Sequence, residues 1–175
     1  MRIVAGSFAG RALTSPNDFR VRPTAEPVRA ALLDALGAGL PGARVLDLFA
    51  GTGALGLEAL SRGAARADFV ETRPASLHAL RANVAALRVR DRTRVFKRDA
   101  LPFAAALPEG AYDLAFVDPP YESRMLDRVL DAWRARPFAR VLAAEHARAH
   151  PLPPGADQLD FGDTRVTLYR APDRG

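Results

Sequence analysis

Apolar positions recur along this chain with two spacings, and the alternation between them is its organising pattern. Short runs at Val45–Phe49, Ala67–Glu71 and Tyr112–Val117 predict strands, the last nearly all apolar as in the middle of a parallel sheet. Arg94–Arg98 and Arg140–Glu145 predict two more. Between them the spacing changes to three and four. Ala54–Arg62 reads as a helix stopped by Gly63, and Pro74 opens one that carries Leu77, Leu80, Val84 and Leu87 on one side. Leu101–Leu107 is a short helix, and Leu126, Val129, Leu130 and Trp133 stripe another. Near the end, Leu159–Phe161 and Arg165–Tyr169 flank Gly162-Asp163, a turn pair that predicts an antiparallel hairpin at the sheet edge. Strand and helix in alternation predict a doubly wound α/β sheet.

The first residues follow a different rule. Ile3–Gly6 and Gly10–Leu13 read as strand, turn and strand, followed by a loop. Thr24 is placed to N-cap a helix with Pro27 in its first turn, where Val28, Leu32 and Leu36 share a face and Gly37 ends it. This divides the chain into an extension, residues 1–23, and a main domain, residues 24–175. With 175 residues there is room for one well-buried domain and too little for two of ordinary size.

Composition narrows the chemistry. There is no cysteine, which excludes disulfides, cysteine metal sites and any cysteine nucleophile. His78, His146 and His150 have no metal-ligand spacing, and no metal is expected. No apolar run approaches a membrane span and the N-terminus lacks the form of a signal peptide, so a cytoplasmic protein is expected. The net charge of +5 favours a polyanionic partner, although a single lysine, Lys97, among 25 basic residues equally fits an arginine-rich genome. Arg2, Arg11, Arg20 and Arg22 in the extension are candidate phosphate contacts. The cluster from Arg88 to Arg98 reads as a solvated face.

Two motifs carry chemistry. Gly51-Thr-Gly53-Ala-Leu-Gly56 follows the first strand with the spacing of a nucleotide-binding loop, where glycines let a cofactor approach bare backbone. A pyrophosphate at this loop would be repelled by Asp47, four residues before the first glycine. S-adenosylmethionine has no phosphate but an ammonium and a sulfonium, and Asp47 suits it. The alternative for Asp47 is a turn cap. Glu71, 20 residues after Gly51, is placed to accept from ribose hydroxyls, and Asp99 to accept from the adenine amine, unless it only pairs with Arg98. The second motif, Asp118-Pro119-Pro120-Tyr121, ends the fourth strand. Its prolines remove N–H donors and leave outward carbonyls beside a carboxylate and an aromatic ring. Asp118 and the Pro119 carbonyl can accept both protons of a base's exocyclic amine, and Tyr121 can stack on the ring. The base must then be flipped out or unpaired.

These motifs together resemble class I methyltransferases acting on an amine nitrogen. More closely, the chain is similar to the bacterial small-subunit ribosomal RNA guanine-N2 methyltransferases of the RsmD type. The resemblance covers nearly the whole chain: Met1–Gly6, Gly10-Arg11, Arg22-Pro23-Thr24, Val28-Arg29, Leu46–Gly63, Phe116–Tyr121 and Gly162–Tyr169. It implies a Rossmann-like seven-stranded methyltransferase sheet and S-adenosyl-L-methionine as cofactor. The expected cofactor set is Asp47, Phe49, Ala50, Gly51, Gly53, Glu71, Asp99 and Ala100. Asp118, Pro119 and Tyr121 are the expected catalytic residues, and Arg2, Arg11, Arg22, Thr24 and Arg29 the expected RNA contacts. The implied substrate is 16S rRNA in an assembled or assembling small subunit, with a monomeric enzyme sufficient. A DNA adenine-N6 methyltransferase shares the Asp-Pro-Pro-Tyr motif but needs a target-reading region for which there is little room. A nicotinamide oxidoreductase is disfavoured by Asp47 and by the lack of a Tyr/Lys proton-donor pair. An RNA-binding assembly factor that keeps the pocket without catalysis is the non-enzyme alternative.

Overall fold

The computed structural model describes residues 1–17, 24–121 and 123–173. Seven strands form one mixed sheet: β1 Arg44–Leu48, β2 Arg66–Glu71, β3 Thr93–Lys97, β4 Tyr112–Val117, β5 Ala139–Ala147, β6 Asp157–Phe161 and β7 Thr164–Arg170. Their order is β3-β2-β1-β4-β5-β7-β6. The first five are parallel, and β7 returns antiparallel between β5 and β6, which is the predicted edge hairpin. The order reverses between β1 and β4, the switch point at which open α/β sheets bind ligands.

Helices cover both faces because the strands are apolar on both. Val45 and Phe116 face one layer, with Leu32 and Leu33 of α1 (Glu26–Leu36), Leu57 and Leu60 of α2 (Ala54–Ser61) and Leu80 of α3 (Pro74–Ala86). Leu46, Leu48 and Val117 face the other, with Ala104 of α4 (Ala100–Ala105) and Leu126, Leu130 and Trp133 of α5 (Met125–Ala135). Burying a leucine or phenylalanine side chain contributes about 1.5–3 kcal/mol, so these two layers hold the sheet together.

The N-terminal segment forms the expected strand, turn and strand in a short form: the Ile3 N–H donates to the Arg11 carbonyl at 3.0 Å and the Leu13 N–H to the Met1 carbonyl at 2.9 Å, around an isolated antiparallel bridge between Arg2 and Ala12. It is a strap bound to the helices. Ile3 and Leu13 are buried in the same core as α1–α3. The Val4 and Ala5 N–H groups each donate to the Glu58 carboxylate at 3.0 Å, and Asn83 of α3 exchanges two hydrogen bonds with Thr14.

Candidate functional site

The loop after β1 is shaped by backbone geometry as much as by side chains. Phe49 takes φ +56°, uncommon for a residue with a Cβ, and the Ala50 N–H then reaches the Val70 carbonyl at 3.0 Å. Gly53 has φ +82°, and a Cβ there would stand 2.4 Å from Leu80 Cδ1. At Gly56 the nearest atom to a Cβ would be a Phe69 ring carbon at 2.5 Å, so α2 rests directly on β2. Asn83 Nδ2 donates to the Thr52 carbonyl at 3.0 Å and ties the loop to α3.

This loop lines a cavity of about 790 Å³ that opens beyond the carboxyl ends of β1, β2 and β4. Asp47, Phe49, Ala50, Gly51, Glu71, Asp99 and Ala100 line it, as do Asp118, Pro119 and Tyr121. Both motifs therefore meet in one cavity. Gly53 stands behind the wall as the residue preceding α2.

The acids of the cavity differ in their partners. Glu71 Oε1 accepts from the Gly51 N–H at 2.9 Å, and Oε2 from the N–H groups of Thr72 and Arg73 at 2.7 and 2.9 Å. That carboxylate is aimed across the mouth of the glycine loop with lone pairs left for hydroxyl donors. Asp99 is exposed just before α4 and makes no side-chain capping bond there. Asp47 is buried, and its Oδ2 accepts from the Gly56 N–H at 3.0 Å, so it caps α2 as well as lining the cavity. Desolvation pushes its pKa up to about 8; the Gly56 hydrogen bond opposes this and the Glu71 charge adds to it.

Asp118 has a different environment. Its Oδ2 accepts from Thr24 Oγ1 at 3.0 Å, and the same hydroxyl lies 3.1 Å from Glu145 Oε2 at the end of β5. Desolvation, followed by the Glu145 charge, holds the Asp118 pKa well above the usual carboxylate range, against the lowering pull of Thr24. Glu145 was not expected from the sequence: it ends an ordinary apolar run and follows no motif. Tyr121 is 39% exposed, and its hydroxyl is paired with Thr164 Oγ1 at 3.0 Å, which leaves its ring at the cavity mouth near the exposed Met125. Ser123 Oγ donates to the Pro120 carbonyl at 2.8 Å, fixing the turn.

The structure corrects two expectations. Thr24 does not N-cap α1: Ala25 holds the cap position with no side-chain cap bond, and the Thr24 hydroxyl turns to the two acids. Arg29 is no surface contact for RNA. It is fully buried, 3.4 Å from the Glu58 carboxylate, and donates to the Arg2 carbonyl. The side chains of Arg2 and Arg11 are exposed, donating to the carbonyls of Gly10 and Ala86. Arg20 and Arg22 lie outside the described residues. In the basic cluster, Arg94 is bound to Asp68 at 2.7 Å, and Arg98 lines the cavity.

The residues fit an adenosine cofactor bearing an ammonium. One observation tests this independently: Ser76 Oγ, in the first turn of α3, is buried, lines the cavity and has no hydrogen-bond partner among the described residues. A buried hydroxyl without a partner is costly unless a ligand supplies one. Beside it stand the glycine loop and Glu71. No group of three or more metal-ligating side chains occurs among the described residues, and no helix there is long and apolar enough to cross a membrane.

Comparisons with known proteins agree with this geometry. The model of the family described as conserved hypothetical protein 95 matches residues 1–165. A Bacillus subtilis protein named "Putative rRNA methyltransferase YlbH" is 33% identical, over 97% of this chain and 98% of its own. The Escherichia coli ribosomal RNA small subunit methyltransferase D is 39% identical over 75% of this chain, which spans 65% of that protein's length. Among solved structures, the Escherichia coli "Putative methyltransferase yhhF" superposes with a TM-score of 0.84 at 31% identity, covering 97% of each chain. With sequence, fold and site in agreement, the chain belongs to the conserved hypothetical protein 95 family, the RsmD family of methyltransferases.

Proposed function

We propose that this protein is an S-adenosylmethionine-dependent methyltransferase of small-subunit ribosomal RNA that modifies the exocyclic N2 amine of a guanine. The observation that carries the reading is the single cavity in which Asp118-Pro119 faces the glycine loop across the β1/β4 switch point. The names of the relatives support an rRNA substrate.

Bound there, the cofactor supplies an electrophilic methyl group on a sulfonium. The protein's part is to hold and orient. Glu71 accepts from the ribose hydroxyls, and Asp47 sets a buried acid near the cationic end. Asp118 and the Pro119 carbonyl accept from the amine and turn its lone pair toward the methyl, while the Tyr121 ring stacks on the base. The rate gain then comes from positioning and electrostatics, with no covalent enzyme intermediate. Arg2 and Arg11, exposed on the strap, are the described members of the expected arginine set that remain candidates for phosphate contacts. If they serve so, RNA binding weakens steeply between about 50 and 200 mM salt.

The test supplies labelled S-adenosylmethionine with three acceptors: small subunits lacking the modification, protein-free small-subunit RNA, and unmethylated DNA. Products are digested and identified as nucleosides. N2-methylguanosine, chiefly from subunits, is the expected result. N6-methyladenine in DNA would replace the guanine reading, and no label in any acceptor would leave an RNA-binding assembly factor.

A further inference from the structure

Ser76 is 1% exposed, and its hydroxyl has no hydrogen-bond partner among the described residues. Its own helix does not use it. A serine near a helix start ordinarily serves the backbone N–H groups there. Here Pro74 at the first position has no N–H, and the Arg73 N–H is already given to Glu71 Oε2 at 2.9 Å. The direction of Ser76 follows from its register on α3. Leu80 and Asn83, four and seven positions on, share its face. Leu80 packs against Gly53, and Asn83 donates to the Thr52 carbonyl at 3.0 Å. Ser76 lies one turn nearer the cavity, on a wall it shares with Gly51, Glu71, Thr72 and Arg73. The backbone donors of that wall are spent: the Gly51, Thr72 and Arg73 N–H groups all donate to Glu71. A ribose hydroxyl can give its hydrogen to Glu71, yet its oxygen keeps lone pairs that need a donor. Ser76 Oγ is a buried donor still unspent.

We propose that Ser76 is a specificity-determining residue for the cofactor: its hydroxyl donates to a ribose hydroxyl oxygen whose hydrogen goes to Glu71. This rests on the ribose lying against Glu71, as in the function proposed above. The two side chains then read one hydroxyl twice, as donor and as acceptor. A ligand without that hydroxyl leaves both of them unanswered, which is the condition for strong rejection of a deoxy analogue. Without ligand, the protein carries the cost of an unpaired buried hydroxyl, and the cofactor relieves it. Removing the hydroxyl therefore has effects of opposite sign: the free protein gains or keeps stability, and the cofactor binds more weakly. A serine that merely held the fold would lose stability on removal. A serine answered by a buried water would leave cofactor affinity unchanged.

The test compares native protein with Ser76→Ala, a substitution that suits a helix and removes little besides the hydroxyl. Calorimetry measures binding of S-adenosylhomocysteine and of its 2′-deoxy and 3′-deoxy analogues. Ser76→Ala is expected to weaken S-adenosylhomocysteine about threefold to tenfold, the worth of one neutral hydrogen bond. For the deoxy analogue that lacks the contacted hydroxyl, native protein and variant should bind alike. In the same variant, the denaturation midpoint of the free protein is unchanged or raised. Equal affinity of native protein and variant for S-adenosylhomocysteine overturns the proposal while the cofactor reading stands. An equal loss for all three ligands overturns it too, because Ser76 would then touch another part of the cofactor. So does a lowered midpoint, which would make the serine a support of the fold. Native protein that binds none of the three ligands overturns the cofactor reading itself, and this proposal with it.

Discussion

Two acids at strand ends, Glu71 on β2 and Asp118 on β4, face the same cavity and have opposite surroundings. Glu71 accepts from three backbone N–H groups. Asp118 meets a second carboxylate, with one hydroxyl between them. The first is held by backbone donors and keeps lone pairs to accept further hydrogen bonds. The second is built to be close to gaining a proton. Position at a strand end thus places an acid in the site, and its neighbours decide what it can do there.

The sharpest way to break the comparison is to remove one acid at a time. Asp118→Ala is expected to lower methyl transfer by about 10²–10⁴-fold and leave cofactor affinity within about threefold. Loss of cofactor binding in calorimetry would mean that Asp118 belongs to the cofactor's half of the cavity. Glu71→Gln should do the reverse, weakening S-adenosylhomocysteine by about tenfold to a hundredfold, the equivalent of one charged hydrogen bond. A change in rate at saturating cofactor, with affinity intact, would contradict its assignment.

A buried ion pair shows what is structural alone. Arg29 and Glu58 sit beneath the strap away from the cavity, and Arg29→Ala leaves Glu58 with Arg62 and the Val4 and Ala5 N–H groups as partners but opens a cavity in the core. Denaturant unfolding should report a loss of about 1–3 kcal/mol, while the salt slope of RNA binding stays the same. A reduced slope in a fully folded variant would restore Arg29 as a phosphate contact.

The smallest effect concerns Asp47. With its pKa pushed up to about 8, it is mostly protonated in the free protein at pH 7. A cation bound nearby favours the carboxylate, so cofactor binding releases up to about one proton, and affinity rises with pH toward 8. Calorimetry in buffers of different ionisation heat reads this directly; no proton release would mean that Asp47 only caps α2. The same shift has the opposite sense for stability. A carboxyl group whose folded pKa lies above its ordinary 3.8 favours the fold when protonated, so its contribution diminishes as pH rises from about 4 to 8.

Much of the architecture was legible in the chain. Among the described residues the seven strands, the five α-helices and the edge hairpin follow from apolar spacing and from Gly162-Asp163, with ends that coincide or are displaced by one or two residues. Strand ends move where a loop residue is pulled out of the ladder: Phe49, expected in β1, turns to positive φ instead. The extension was legible only in part: Ile3 pairs with Arg11 as a strand residue would, while the Val4 and Ala5 N–H groups go to Glu58, far along the chain. Thr24 and Arg29 misled for a related reason. A threonine before a helix and an arginine in a basic chain each have a common surface role, and nothing local marks a partner far away in sequence.

By itself the sequence determined the sheet, because burial on both faces requires apolar runs of strand length, and it determined the two motifs, because glycine and proline act on their own backbone. It put Glu71 on the cavity wall at the end of β2 for the same reason: that strand end lies a short helical crossover from the loop. The tertiary structure alone decided the meeting of Thr24, Asp118 and Glu145. These residues are 94 and 121 positions apart by way of Thr24, on α1's approach, β4 and β5. No periodicity spans such distances. Only the parallel pairing of β4 with β5, and the packing of α1's N-terminal end over both, brings two carboxyl groups and one hydroxyl together, and the charge of the site depends on their separation in space.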